Sequence, residues 1–417
     1  MNLLNLDELL LIAQRTLDEK DFSILDSQLI CGSNDLLGYM GEYYKLHLNV
    51  QTRGDATRNY NLIYFVKSLP YRNESLKIEC ERKGVFLKES LIYAKILPNI
   101  QKYGTKKLFP KCYYCRNDVI VLEDLGQTYR HLNASTDRDF LDSCKLILEH
   151  LSELHACSIA WEEKENISID QLYGKDLSEL LLNRDNTWFM TGLKGIIFLA
   201  LRHPDYQDEW AQKFIKEKLY DILLKTEEFV KPSQHLRNAF CHRDTWHRNI
   251  FFKFPSTEDQ TPPTSCCLID FQFSKYCSPC LDILFVLYMV VPAEKREDVY
   301  EDCLEHYFNS LQSHFQRLGL PRDLITRQRF LDECEQMRLA GLLMWALAEP
   351  QTRIKPQLSN RLRAEDPARF DYYLNNDRSG LYLKVIKEQP GYEQIIMRPI
   401  KELLEYILKT KQSEIGP

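Results

Sequence analysis

No stretch of this 417-residue chain approaches the roughly 20 consecutive apolar residues that a bilayer-spanning helix needs. The longest candidate, Ile283 to Val291, stops at Pro292, so no membrane span is expected. The N-terminus also lacks a basic region ahead of a long apolar core. It carries Asp7 and Glu8 in its first turns, which is not how a secretory leader is built, and a cytoplasmic chain is expected. Nor is there a cationic surplus: 54 Lys and Arg stand against 60 Asp and Glu, for a formal net charge of −6. No global basic field is present to recruit nucleic acid or an anionic membrane, and a local cluster such as residues 102–111 reads as solvated surface. Internal repeats and low-complexity tracts are absent as well. What is present is 44% hydrophobic content, enough to fill the core of two lobes.

The most informative residues lie in two segments, His242-Arg243-Asp244-Thr245-Trp246-His247-Arg248-Asn249 and Ile269-Asp270-Phe271-Gln272. In kinase-like phosphoryl transfer one Asp orients and deprotonates the attacking hydroxyl, an Asn five residues later holds one Mg²⁺, and a second Asp beyond a β-hairpin holds the metals against the nucleotide phosphates. Asp244, Asn249 and Asp270 have that order and spacing. Residues 250–254 read as an apolar strand, a turn rich in Ser, Thr and Pro spans 255–265, and residues 266–269 return as the second strand of the hairpin. Taken singly, each residue reads as structural, Asp244 and Asn249 as an Asx-rich turn and Asp270 as a strand-end carboxylate satisfied by backbone donors. The ordered set makes them catalytic candidates, Asp244 as base with Asn249 and Asp270 as metal ligands.

A nucleotide lobe is then expected upstream. Residues 60–67 form a strand-like run ending in Lys67, after a shorter one at 44–50 and a turn at Arg53-Gly54-Asp55. Residues 85–98 read as a helix with Phe86, Glu89 or Ser90, Tyr93 and Leu97 on one stripe. A carboxylate on an apolar stripe needs a cation, because desolvating it alone costs several kcal/mol or more, and Lys67 is the expected partner of Glu89. The segment from Cys31 to Gly41 offers Gly32, Gly38 and Gly41 but no clean G-x-G-x-x-G, so a backbone nest for phosphate and an ordinary turn both remain open. Residues 119–125, an apolar strand running into Glu123, Asp124 and Leu125, suit the adenine-binding hinge of a two-lobed kinase or a plain strand with a polar exit.

The 13 cysteines read as buried apolar residues and free thiols. Two C-x-x-C pairs, Cys112/Cys115 and Cys277/Cys280, have zinc-like spacing, but in a strand Cys112 and Cys115 would face opposite sides; structural thiols are the expectation.

In combination these motifs resemble the ecdysteroid kinase-like family of insects, relatives of choline kinases and aminoglycoside phosphotransferases on the protein-kinase-like fold. The resemblance runs nearly end to end. It is carried by Glu89 within Phe86 to Tyr93, Leu97-Pro98, Val121 to Leu125, Leu154-His155-Ala156-Cys157-Ser158, His242 to Trp246, Asn249-Ile250, and Asp270-Phe271-Gln272 with Ser278-Pro279 and Asp282. It implies ATP and Mg²⁺ as cofactors, Asp244 as base, Asn249 and Asp270 as Mg²⁺ ligands, Lys67 and Glu89 as the phosphate-binding pair, and residues from Glu123 to Leu125 as hinge. His242 and Asp282 would brace the catalytic loop. The family's usual His-Gly-Asp stands here as His242-Arg243-Asp244, and His247-Arg248 replace smaller or polar residues, departures that touch acceptor choice.

A protein kinase is not indicated, since Gln272 stands where that class has Gly and no Ala-Pro-Glu segment follows. The expected fold class is α+β, a bilobal protein-kinase-like fold. A small β-rich nucleotide-binding lobe with its hinge would span 1–125, and a larger, mainly helical catalytic and substrate lobe 126–417. Helical patterns at 140–160 and 210–230 belong to the latter. Apolar stretches at 281–291 and 330–347 are either core or the walls of a greasy acceptor pocket. The expected function is transfer of the γ-phosphoryl group to a hydroxyl of a small, hydrophobic acceptor, an ecdysteroid or xenobiotic-like molecule. Two alternatives stand beside it: a choline- or aminoglycoside-type kinase acting on a polar cation, and an inactive kinase-fold binding protein.

Overall fold

In the computed structural model, residues 3–17, 21–32, 40–53, 57–132, 140–255 and 262–415 are described. Gly38, Gly54, Asp55 and residues 256–261 of the Ser/Thr/Pro turn lie outside them. The chain divides into two compact units, one formed by 1–150, 164–166 and 247–272, the other by 151–163, 167–246 and 273–417. The first therefore runs past Leu125 to His150 and takes in the hairpin that carries Asp270.

The first unit is built on a five-stranded antiparallel sheet in the order β1 (Phe22–Cys31), β2 (Glu42–Thr52), β3 (Asn59–Ser68), β5 (Val119–Glu123), β4 (Cys112–Arg116). Period-two alternation makes it two-faced: Leu46, Leu48 and Val50 of β2 are buried, while Lys45 just before them is exposed and His47 and Asn49 between them are half-buried and exposed. Helix Leu6–Leu17 closes one face, with Leu9, Ile12 and Ala13 packed against Tyr64, Val66, Val119 and Val121. The expected helix at 85–98 is present but not uniform. Val85–Leu91 passes through a wide π turn, Ile92–Ile96, into Leu97–Gln101. That turn sits immediately ahead of Pro98, whose ring gives no N–H and crowds the carbonyl four residues back.

The expectation that Cys112 and Cys115 face opposite sides is corrected by a bulge in β4. Cys112 pairs with Leu122 and Cys115 with Ile120, the register shifting between Cys112 and Tyr114. Their partners are two residues apart and share a face, so the two thiols do as well. A hairpin of β7 (Ile250–Lys253) and β8 (Ser265–Leu268) completes the unit, tied to it by Arg130 opposite Phe252 and by the Leu268 N–H on the Leu108 carbonyl at 2.8 Å.

The second unit is mainly helical. Its only strand pair among the described residues is β6 (Ala239–Cys241) with β9 (Lys275–Cys277). Helix Cys280–Met289, buried along almost its whole length, packs on Arg327–Thr352, which in turn meets Tyr392–Ile415. The apolar residues of 330–347 are thus core: Leu342, Leu343 and Ala346 are all buried. The helix expected at 210–230 is broken into Glu209–Phe214, a π turn Ile215–Leu219, Tyr220–Leu224 and a final 3₁₀ turn. No described helix is long and apolar enough to cross a membrane.

Candidate active site

Lys67 sits near the end of β3, between Tyr43 on β2 and Ile120 on β5, and is only 4% exposed. An ammonium at that depth is tolerated only if its donors are satisfied. Its Nζ donates to Glu89 Oε2 at 2.6 Å, to Asp270 Oδ1 at 2.8 Å and to Gln272 Oε1 at 3.3 Å, so three acceptors meet its three N–H groups. Burial alone would push the Lys67 proton off. The Asp270 and Glu89 carboxylates outweigh that and hold it on, with the affinity raised above the ordinary lysine value. Glu89, from the buried stripe of Val85–Leu91, is pushed up to about 7 by burial, against the pull of Lys67 and with Asp270 adding to the rise.

Asp270 follows the β7–β8 hairpin with φ +65°, a left-handed conformation uncommon outside glycine. Phe271 fixes the turn by seating its ring edge-on against Tyr93 (5.8 Å) and Phe109 (5.9 Å). One Asp270 oxygen is held by Lys67, while the other receives only a 3.4 Å approach from Gln272 Nε2. Asn249 ends the 3₁₀ turn His247–Asn249, and its carbonyl accepts from the Ile269 N–H at 3.0 Å, one residue from Asp270. The hairpin thus brings the two expected metal ligands to the same end of one strand pair. Gly41 packs along the Lys67 stem: a Cβ there would lie 3.2 Å from the Ser68 carbonyl and 3.5 Å from Lys67 Cγ and Cε.

The hinge candidates are held locally. Glu123 bonds Lys107 and accepts from the Lys111 N–H at 3.2 Å, so its side chain is engaged and only backbone groups would serve a ligand. Leu125 opens a 3₁₀ turn capped by Asp124, whose other oxygen pairs with Lys45 at 2.9 Å.

In the second unit the loop bearing Asp244 hangs on Asp282. The Asp282 carboxylate accepts from the His242 N–H at 2.7 Å and the Arg243 N–H at 2.6 Å, and Thr245 Oγ1 donates to the Asp282 carbonyl at 3.2 Å. His155 Nε2 lies 3.0 Å from Asp282 Oδ2, and its Nδ1 lies 2.7 Å from the Tyr307 hydroxyl. Full burial pushes Asp282 up, but the hydrogen bonds from His155 and the Arg243 N–H, with the His242 imidazole close by, outweigh it and keep the carboxyl below the usual range. His155, Cys241 and Asp282 are close enough to ligate a metal, yet the carboxylate is already occupied by loop amides and imidazole, which makes this cluster a brace.

Arg243 has φ +69°, explaining why glycine suits this position. Its guanidinium is fully buried, 3.3 Å from Glu179 Oε2 and 5.4 Å from the Phe285 ring centre. Asp244 is half-buried, whereas His247 and Arg248 are exposed. Sequence reasoning missed Gln272 as a third acceptor on Lys67 and Glu179 as the partner of Arg243. The second left no signal, being 64 residues away in the chain. For the first, the departure from Gly at 272 was the clue.

The model of the ecdysteroid kinase-like family matches residues 36–320. No curated protein matches. Among solved structures, the chain is similar to an ethanolamine kinase of Plasmodium vivax, at 14% identity over 94% of this chain and 86% of that one, with a TM-score of 0.38. It is also similar to APH(2")-IIa, solved as a ternary complex with streptomycin and ATP, at 13% identity over 87% of this chain and 96% of that one, with a TM-score of 0.38.

Proposed function

This chain belongs to the ecdysteroid kinase-like family, and from that premise we propose an ATP- and Mg²⁺-dependent phosphotransferase acting on a hydroxyl of a small hydrophobic acceptor, of which an ecdysteroid is the type. The observation that carries the reading is Lys67 Nζ shared between Glu89 and Asp270. Two carboxylates around one ammonium leave a local deficit of positive charge. Asp270 also keeps an oxygen with little protein engagement, and a hard carboxylate and amide donor set is what Mg²⁺ takes.

Asn249 and Asp270 would hold the metal, which when bound supplies charge neutralisation to the transferring group. Lys67, oriented by Glu89, would meet the α- and β-phosphates, and the backbone from Glu123 to Leu125 would receive adenine. Asp244 would accept the proton of the acceptor hydroxyl, held in place by a loop whose amides are fixed on Asp282. A cytoplasmic location, where ATP is supplied and the thiols stay reduced, belongs to the same proposal. Incubation with ATP and Mg²⁺ against a panel of ecdysteroids, plant sterols, phenols and choline, read by mass spectrometry, is expected to give a phosphorylated hydrophobic product that vanishes in Asp244→Asn. Product from choline alone would transfer the reading to a polar acceptor. No product with any acceptor, together with no ATP binding, would refute it.

A further inference from the structure

The β4 bulge brings onto one face two thiols that a regular strand would separate, and chemistry follows from that. Same-face neighbours on a strand stand about 7 Å apart at Cα, the far edge of what a disulfide spans, and a bulge bends the strand locally. Cys112 and Cys115 are both half-buried, and both are free thiols. They lie close enough for each to shift the other's proton: the interaction raises Cys112 and lowers Cys115. Two cations also lie against the bulge. Arg15 Nη1 donates to the Tyr113 carbonyl at 2.7 Å, and Lys111 Nζ lies 4.9 Å from the Tyr113 ring centre. Arg116 is neutralised by Glu8 and Asp118, so Arg15 is the cation that acts on both thiols. A partly exposed thiol in an electropositive setting beside a second thiol is the pattern of a reactive dithiol.

We propose that Cys112 and Cys115 are a redox-active dithiol site that closes to an internal disulfide by exchange with a low-molecular-weight disulfide such as oxidised glutathione. The Cys115 thiolate attacks one sulfur of the small disulfide, and the departing half takes up a proton. Cys112, losing its own proton, then attacks Cys115 Sγ and expels the second half. Two protein thiols are oxidised while one small disulfide is reduced to two thiols. Closure withdraws the S–H that Cys115 points at the Ser90 carbonyl at 3.5 Å, beside Glu89 on the helix that holds Lys67.

The test does not depend on kinase activity. Full-length protein is equilibrated in glutathione buffers of increasing oxidised fraction, alkylated and cut with trypsin, which cleaves after Lys111 and Arg116 and leaves Cys112 and Cys115 on one peptide. The expected result is a shift of that peptide from the doubly alkylated form to an unalkylated form lighter by two hydrogens. The shift should be reversed by dithiothreitol and should precede glutathione addition at the exposed single thiol Cys31. In Cys112→Ser the same treatment is expected to trap glutathione on Cys115. A peptide that stays doubly alkylated while Cys31 converts, or one that ends with glutathione on both sulfurs, overturns the proposal.

Discussion

At the scale of single residues, the site turns on how one buried ammonium is shared. Removing one partner of a buried pair costs about 3–5 kcal/mol because the other charge is left uncompensated; Lys67→Met should therefore lose both ATP binding and stability. Glu89 adds a pH signature. Its folded-state value of about 7 lies above the ordinary 4.5, so the folded chain holds this proton more tightly than the unfolded one. The contribution to stability is then fully present below about 4.5 and is lost as pH rises through about 7. Urea midpoints measured across that window should fall less steeply with pH in Glu89→Gln than in the native chain; parallel slopes would remove Glu89 as the source. Arg243 allows a third prediction. Glycine and alanine at this position lose the same Glu179 pair, but only alanine keeps a Cβ at φ +69°. Arg243→Gly should be more stable than Arg243→Ala by about 1 kcal/mol in urea unfolding, the left-handed penalty of a side chain.

Elements show which parts of the chain were legible. Strands β2, β3 and β5, the Glu89 stripe and the β7–β8 hairpin follow from alternation and helical spacing, and the Lys67–Glu89 pair was readable because a buried carboxylate demands a cation. The β4 bulge was not, since one inserted residue leaves no mark in the pattern of a short, half-buried strand. The π turn before Pro98 and the broken helix at 209–228 escaped for a similar reason, as wide turns keep the apolar spacing nearly intact. Helix packing in the second unit makes its own prediction. A Cβ on Gly341 would fall 2.5 Å from Tyr288 Cδ2 and 3.2 Å from Leu284 Cβ, so Arg327–Thr352 approaches Cys280–Met289 where only glycine fits. Gly341→Ala should destabilise by about 1–3 kcal/mol, read as a lower melting temperature. An unchanged melting temperature would mean that the two helices are not pressed together there.

For the whole molecule, the α+β class, the β-rich first part and the mainly helical remainder could be read from the order of patterns along the chain, and so could the family. The contact that ties Arg243 to Glu179 could not, because long-range partners of a buried guanidinium leave no local periodicity. Lys67, Glu89, Asp270 and Asn249 are together the proposed site for a metal-bound nucleotide. Calorimetric titration of ATP, with and without Mg²⁺, into the native chain and Asp270→Asn tests it most directly. Binding is expected to strengthen with Mg²⁺ in the native chain and to weaken about tenfold or more in Asp270→Asn, with the Mg²⁺ dependence gone. Affinity indifferent to Mg²⁺, or unchanged by the substitution, would contradict it.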